Sequence, residues 1–290
     1  MTRSGFASFV GRPNVGKSTL TNALVGEKVA ITSSRPQTTR KAIRGVVNRP
    51  EGQLVLVDLP GVHRPRTLLG ERLNDLVQST LSEVDLIAFC TPANEKLGPG
   101  DERLIAEIQK FPKAKKIAIV TKTDSVSKER LFEHLMELGK LADFVEIIPV
   151  SAVTGEQVEL LSKLMIGLLP EGPMLYPEQM ITDEPIEDRI CEVIREKALE
   201  KLNDELPHSL AVTLDELDQD QNRIFASVWV ERDSQKGIVI GKSGSMLKAI
   251  GSEAREELAG LFGAPVYLQL QVRVAKEWQR DPKQLGKLGF

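Results

Sequence analysis

Residues 11–19 read GRPNVGKST, which puts Gly11, Gly16, Lys17 and Ser18 at the fixed positions of the pattern G-x-x-x-x-G-K-[ST]. The pattern has a mechanism. Glycines let backbone N–H groups curl around a phosphate at a helix N-terminus, where the helix dipole favours negative charge. Lys17 would reach the β- and γ-phosphates and the Ser18 hydroxyl would coordinate Mg²⁺, with Arg12, Pro13, Asn14, Val15 and Thr19 completing the contact run. Further along, LVLVDLPG (54–61) ends in Asp58 and Gly61. An acidic residue there can hold Mg²⁺ through water, and a glycine N–H can meet a γ-phosphate. In KKIAIVTKTD (115–124), Lys122 and Asp124 follow another apolar run. A carboxylate accepts from guanine N1–H and the 2-amino group together, a donor pair that adenine lacks, so the predicted ligands are GTP and GDP. VSAVTG (150–155) adds Ser151 and Ala152, whose backbone would lie near the guanine oxygen. SSRPQTTR (33–40) offers Thr38 or Thr39 to complete the Mg²⁺ shell while γ-phosphate is present and to let go after hydrolysis.

These residues need a scaffold that brings strand ends together. Apolar, β-rich runs at 5–10, 53–58, 84–90, 115–121 and 144–150 alternate with helical patterns near 17–26, 68–82, 100–110, 127–140 and 155–168. Such alternation predicts an α/β domain with a doubly wound, mainly parallel sheet over residues 1–170, with ligands at the carboxyl ends of its strands. Pro170, Pro173, Pro177 and Pro185 break the helical pattern, so residues 171–185 read as an extended linker. From 186 to 290 the order is α-β-β-α-α-β, an α+β domain. Within it, GIVIGKSGSMLKAIG (237–251) holds Gly241-Lys242-Ser243-Gly244 between two apolar segments. A G-x-x-G turn lets a single-stranded nucleic acid backbone approach closely. Lys236, Lys242 and Lys248 would meet phosphates, Gly241, Ser243 and Gly244 would shape the turn, and Ile240 would support a base-binding groove. Ile238 and Val239 read as core.

The 290 residues carry a net charge of -3, so the whole chain has no basic signature. From Lys236 onward, however, nine basic residues stand against five acidic ones, which allows one basic face. Cys90 and Cys191 lack the spacing of a disulfide framework or a zinc site, and no run of about 18 apolar residues occurs. A reducing cytoplasm suits that usage.

Residues 5–168 resemble the translation-factor class of GTPases. In relatives sharing a T-T-R switch the second threonine ligates the metal, which selects Thr39 beside Ser18 and Asp58 and makes Lys17, Thr39 and Gly61 the implied catalytic set. Two positions depart from the pattern. Thr121 stands where an asparagine amide ordinarily ties loops together, which bears on nucleotide affinity. Val62 stands where a glutamine orients water in other members, which implies slow hydrolysis and a potassium ion beside the phosphates, with Asn14 matching the residue that binds it. His63 reads as solvent-facing, Arg64 and Arg66 as surface charges. The second domain looks like a KH domain of the bacterial topology (type II), and the two modules in this order resemble the Era family of bacterial ribosome-assembly GTPases. EVIREKALEKLNDELPHSLAV (192–212) and the terminal QLGKLGF carry that likeness further. It implies binding of the 3′ end of 16S ribosomal RNA, the small (30S) ribosomal subunit as partner, a monomer, and peripheral contact with the inner face of the cell membrane, the last without direct support in the residues. Competing readings are a GTPase acting on another RNA and a non-catalytic RNA-binding assembly protein with a structural nucleotide.

Overall fold

The computed structural model describes residues 2–32, 38–61, 65–202 and 209–290. Two compact units divide the described residues chiefly between Asp183 and Glu184, with Thr38 and Pro65–Arg72 grouping with the second.

The first unit is built on six strands among the described residues: β1 (Arg3–Val10), β2 (Ile43–Arg49), β3 (Gly52–Asp58), β4 (Leu86–Pro92), β5 (Lys115–Thr121) and β6 (Ile147–Pro149). Their order is β2-β3-β1-β4-β5-β6, and only β2 runs antiparallel to its neighbour. Helices α1 (Lys17–Val25), α2 (Leu68–Glu83), α3 (Pro99–Ile108), α4 (Lys128–Leu138) and α5 (Val158–Leu168) alternate with them. Both faces of the sheet are covered. Ala7, Phe9, Leu54 and Leu56 pack with Leu20, Leu24, Leu161 and Met165 on one side, while Val10, Val57 and Phe89 pack with Val77, Leu81 and Leu104 on the other. Burial on both faces is why these strands read as continuous apolar runs rather than alternating ones. Each fully buried leucine contributes about 1.5–3 kcal/mol.

Strand β2 is absent from the sequence expectation because its segment, IRGVVNR, is broken by polar residues. It is an edge strand, and its outer side is occupied by the proline-rich segment. Val46 N–H donates to Ile181 O at 2.8 Å and Asn48 Nδ2 to Glu178 O at 2.7 Å. Buried Gln53 accepts from the N–H groups of Leu175 and Tyr176 at 2.7 and 2.9 Å and donates to Tyr176 O at 2.9 Å. Residues 172–183 thus lie as a strap that satisfies an exposed sheet edge, in addition to connecting two domains.

The second unit contains α6 (Ile186–Lys201), β7 (Ala211–Asp218), β8 (Arg223–Val230), α7 (Asp233–Ile240), α8 (Ser245–Phe262) and β9 (Tyr267–Val274). This is the α-β-β-α-α-β order read from the sequence. The sheet runs β7-β8-β9, antiparallel then parallel, and one core joins Ile190, Ile194, Val228, Val239, Ile250 and Leu258. The C-terminal stretch is ordered further than the pattern suggested. Asp281 caps α9 (Pro282–Lys287) by accepting from Lys283 N–H at 2.8 Å, and buried Trp278 stacks on Phe290 with centroids 5.5 Å apart. Among the described residues no helix is long and apolar enough to cross a membrane.

Candidate functional site

The loop from Gly11 to Gly16 joins β1 to α1 at the carboxyl end of the sheet. Gly11 is required by crowding, since a Cβ there would sit 2.5 Å from the carbonyl oxygen of Cys90. Gly16 enters α1 at φ 97°, in the left-handed region that side chains avoid. Val15 is a core residue, 1% exposed, so what it brings to the loop is backbone. Lys17 is buried, and its ammonium donates to the carbonyls of Gly11 and Arg12, each at 3.0 Å. Burial pushes the Lys17 pKa down, against the opposing pull of the Asp58 charge.

Asp58 ends β3 and is fully buried. Its Oδ2 accepts from Ser18 Oγ at 2.7 Å and from Thr39 Oγ1 at 3.2 Å, and the two hydroxyls lie 3.3 Å apart. Its Oδ1 is buried without a hydrogen-bond partner in the protein. A buried carboxylate oxygen left over beside two converging hydroxyls costs free energy unless something cationic or a water meets it. Two hydroxyls and a carboxylate form an all-oxygen set that suits Mg²⁺, so the residues present fit that ion. Burial also pushes the Asp58 carboxyl up from its ordinary range, partly offset by the Ser18 hydrogen bond, the Lys17 charge and the Thr39 hydrogen bond. Of the two candidate threonines, Thr39 places its hydroxyl on the carboxylate. Gly61 lies near Pro13 of the loop, whose Cγ would be 3.5 Å from a Cβ on it.

The residues expected to read the base stand at two further strand ends. Lys122, in the left-handed region at φ 56°, donates through Nζ to Asn14 O at 2.7 Å. Asn14 is itself left-handed at φ 64°. Ser151 Oγ donates to Asp124 Oδ1 at 2.5 Å and accepts from Thr154 N–H at 3.1 Å, and Ala152 follows in the same turn. Ser151 thereby acts through its hydroxyl, a role its backbone assignment left out. A carboxylate has lone pairs for several donors, so Asp124 retains acceptors beyond the Ser151 bond.

Thr121 corrects the expectation that the missing amide leaves the loops untied. Its Oγ1 donates to Val15 O at 2.5 Å and lies 3.3 Å from Thr91 O. The hydroxyl ties β5 to the phosphate loop across 106 residues. Replacing Thr121 by Val removes the donor and strands a buried carbonyl, a cost of about 1–3 kcal/mol. Affinity for a fluorescent GDP analogue is expected to fall about tenfold, with Thr121→Asn retaining it; unchanged affinity in the valine variant would show that the tie does not shape the loop.

The side chain of Arg12, which is expected among the nucleotide contacts, has protein partners. Its guanidinium is engaged by protein carboxylates, Asp101 at 2.9 Å and Glu95 at 3.0 Å. Val62, His63 and Arg64 lie outside the described residues, as do 33–37 of the switch segment. Thr19 is half-buried in the first turn of α1, and Arg66 is exposed.

In the second unit, Gly241-Lys242-Ser243-Gly244 forms a tight turn between α7 and α8. Gly241 has φ 74°, and a Cβ on it would lie 2.6 Å from Met246 Cβ, so no other residue fits. Gly244 has φ 80° with open space where a Cβ would point. Lys242, Ser243 and Lys248 are exposed, and Lys236 and Ile240 are half-buried. Ile238 is 53% exposed while Val239 is fully buried. The expectation that both are core therefore fails for Ile238, because one face of a two-turn helix buries only one of two successive residues.

Comparison with known proteins follows the same division. A family model described as a 50S ribosome-binding GTPase matches residues 6–123, and a KH-domain model matches residues 205–279. GTPase Era of Nocardioides sp. is 58% identical over 301 aligned positions, covering 99% of this chain and 96% of that protein. An Aquifex aeolicus Era variant bound to GDP and AlF4⁻ superposes with a TM-score of 0.95 at 37% identity, covering 99% of both chains. Era in complex with MgGDPNP and nucleotides 1506–1542 of 16S ribosomal RNA gives the same TM-score and identity, covering 100% of this chain and 99% of that one.

Proposed function

The chain belongs to the Era family of GTPases, and from that premise we propose that it is a Mg²⁺-dependent GTP switch that binds the 3′ end of 16S ribosomal RNA and assists assembly of the small ribosomal subunit in the cytoplasm. The observation that carries the switch is the meeting of Ser18, Thr39 and Asp58 around an orphaned carboxylate oxygen. Thr39 belongs to the segment that leaves α1, so a ligand shared by these three groups would tie that segment to the phosphate loop and release it when the γ-phosphate departs.

In this reading each side chain has a defined task. Lys17, held by two loop carbonyls, offers its ammonium to the β- and γ-phosphates. Asp124, braced by Ser151, accepts from the guanine edge, and Lys122 fixes the loop at Asn14. Asn14 is the side chain this reading offers to a potassium ion. Bound Mg²⁺ would neutralise charge on the phosphate oxygens. Lys236, Lys242 and Lys248 take RNA phosphates around the glycine turn, and Ile238 joins Ile240 as an apolar wall for bases, supported by its exposure.

The reading of a GTPase acting on another RNA predicts a chemistry-bearing cysteine or a cofactor site. Cys90 is buried, with its thiol pushed up to about 12 by that burial, which disfavours it as such a cysteine; Cys191 is half-buried. The test is the affinity for an oligonucleotide from the 16S 3′ end, measured at fixed salt with a GTP analogue, with GDP and without nucleotide. Binding at least tenfold tighter with the GTP analogue is expected. Equal affinity with GTP analogue and GDP would overturn the switch, because a ligand with no preference between states shifts nothing. No binding would overturn the RNA assignment.

A further inference from the structure

Asp101 lies in a segment that no motif reading singles out, LGPGDE at the start of α3. Its side chain is 1% exposed and both of its oxygens are used. Oδ2 accepts from Gly98 N–H at 3.1 Å, which caps α3. Oδ1 accepts from Arg12 Nε at 2.9 Å. A buried carboxylate persists as an anion only when it is paired, and Arg12 is the cation bonded to it. The same arginine supplies, through its backbone carbonyl, one of the two oxygens that hold Lys17 Nζ. Gly100 leaves room for this arrangement, since a Cβ there would come within 3.3 Å of Arg12 Cδ. Asp101, the Arg12 side chain, the Arg12 carbonyl and the Lys17 ammonium therefore form one continuous chain of contacts.

We propose that Asp101 is a positioning residue of the nucleotide site: its buried carboxylate, paired with the partly exposed Arg12, holds the first turn of the phosphate loop, and with it Lys17, in the curve that phosphates need. A helix-capping role alone would not require the arginine, and an arginine that contacts nucleotide would not require a buried partner. The outer contact of Arg12 with Glu95 is half-exposed and is worth little by comparison. The inference rests on residues 11–18 being the phosphate loop, and its consequence is specific. Loss of the pair loosens a surface that must be preset before ligand arrives, so it weakens binding of substrate and product alike more than it slows the chemical step.

The test uses the full chain with Asp101→Asn, Arg12→Met and the double variant. Asparagine has one acceptor oxygen for the two donors that aspartate satisfies, so it can keep the helix cap but not also the arginine bond. Each single variant is expected to raise the KM for GTP and the Kd for GDP about tenfold while kcat falls less than about threefold. The double variant is expected to be no worse than either single one, as residues acting as a pair require. Thermal melts establish that each variant is folded, and Arg12→Met carries the test should Asp101→Asn fail to fold. Nucleotide affinity unchanged in both singles, or effects that multiply in the double, would overturn the positioning role. Failure of the wild-type chain itself to bind GDP would instead overturn the phosphate-loop assignment, so the two readings fall separately.

Discussion

Lys17→Ala is expected to lower kcat/KM for GTP by about three orders of magnitude, because a preset charge aimed at developing phosphate charge is a large catalytic contribution. The size of the effect follows from where the ammonium sits. Lys17 is 8% exposed and is held by two carbonyls of the loop itself, so little free energy is spent on ordering it in the transition state. A charge held away from water also acts through a lower effective dielectric than one on a mobile surface side chain. Burial pushes its pKa down, which means the folded protein carries the cost of keeping that charge where it is used. Alanine removes the cost along with the charge, so the variant is expected to melt within a few degrees of the wild type while losing turnover. Lys17→Arg is not expected to rescue activity: a planar fork cannot sit where the carbonyls of Gly11 and Arg12 grip one compact ammonium. Phosphate release under steady-state conditions measures the loss. Turnover retained within tenfold would mean that residues 11–18 do not carry the hydrolysis.

Much of this arrangement was legible in the amino-acid order, and the reasons differ by element. Ser18 and Asp58 follow or end apolar runs, and a parallel sheet brings such strand ends to one side, so the contact between these two was foreshadowed by spacing. The two faces of β1 and β3 were legible as continuous apolar runs. Strand β2 was not, because an edge strand needs no such run and its partner on the outer side, residues 172–183, reads as irregular chain. The Thr121 tie and the Arg12–Asp101 pair were also hidden. Both join residues about a hundred positions apart, and a hydroxyl or a carboxylate gives no sign in sequence of which distant atom it will meet. Ile238 was misread for a different reason. In an apolar triplet, Ile238-Val239-Ile240, only the helical phase decides which residue turns inward, and that phase is set by Asp233, where α7 begins. An exposed isoleucine beside a glycine turn is informative once seen, since burial is what isoleucine ordinarily finds.

The second large effect belongs to that turn. Lys242→Asp combined with Ser243→Asp is expected to weaken binding of the 16S 3′-end oligonucleotide by about a hundredfold at moderate salt. Both positions are exposed, so the change is made without disturbing the core. The turn itself should survive. Ser243 is left-handed, at φ 54° and ψ 31°, and aspartate tolerates that conformation better than most side chains. Gly241, the position where a side chain would collide with Met246, is untouched. Electrostatics then act in one direction only. Helix α8 begins at Ser245 with no acidic residue in its first turn, which leaves the positive end of its dipole available to a phosphate. Two carboxylates placed just ahead of it would occupy that field themselves and repel the RNA backbone, while stabilising the helix slightly. Fluorescence anisotropy with the labelled oligonucleotide should therefore report a lost complex in a protein that melts no lower than the parent and still binds GDP. RNA affinity unchanged in the double variant would move the RNA site away from the glycine turn altogether, since no phosphate could lie against two new anions without a measurable penalty.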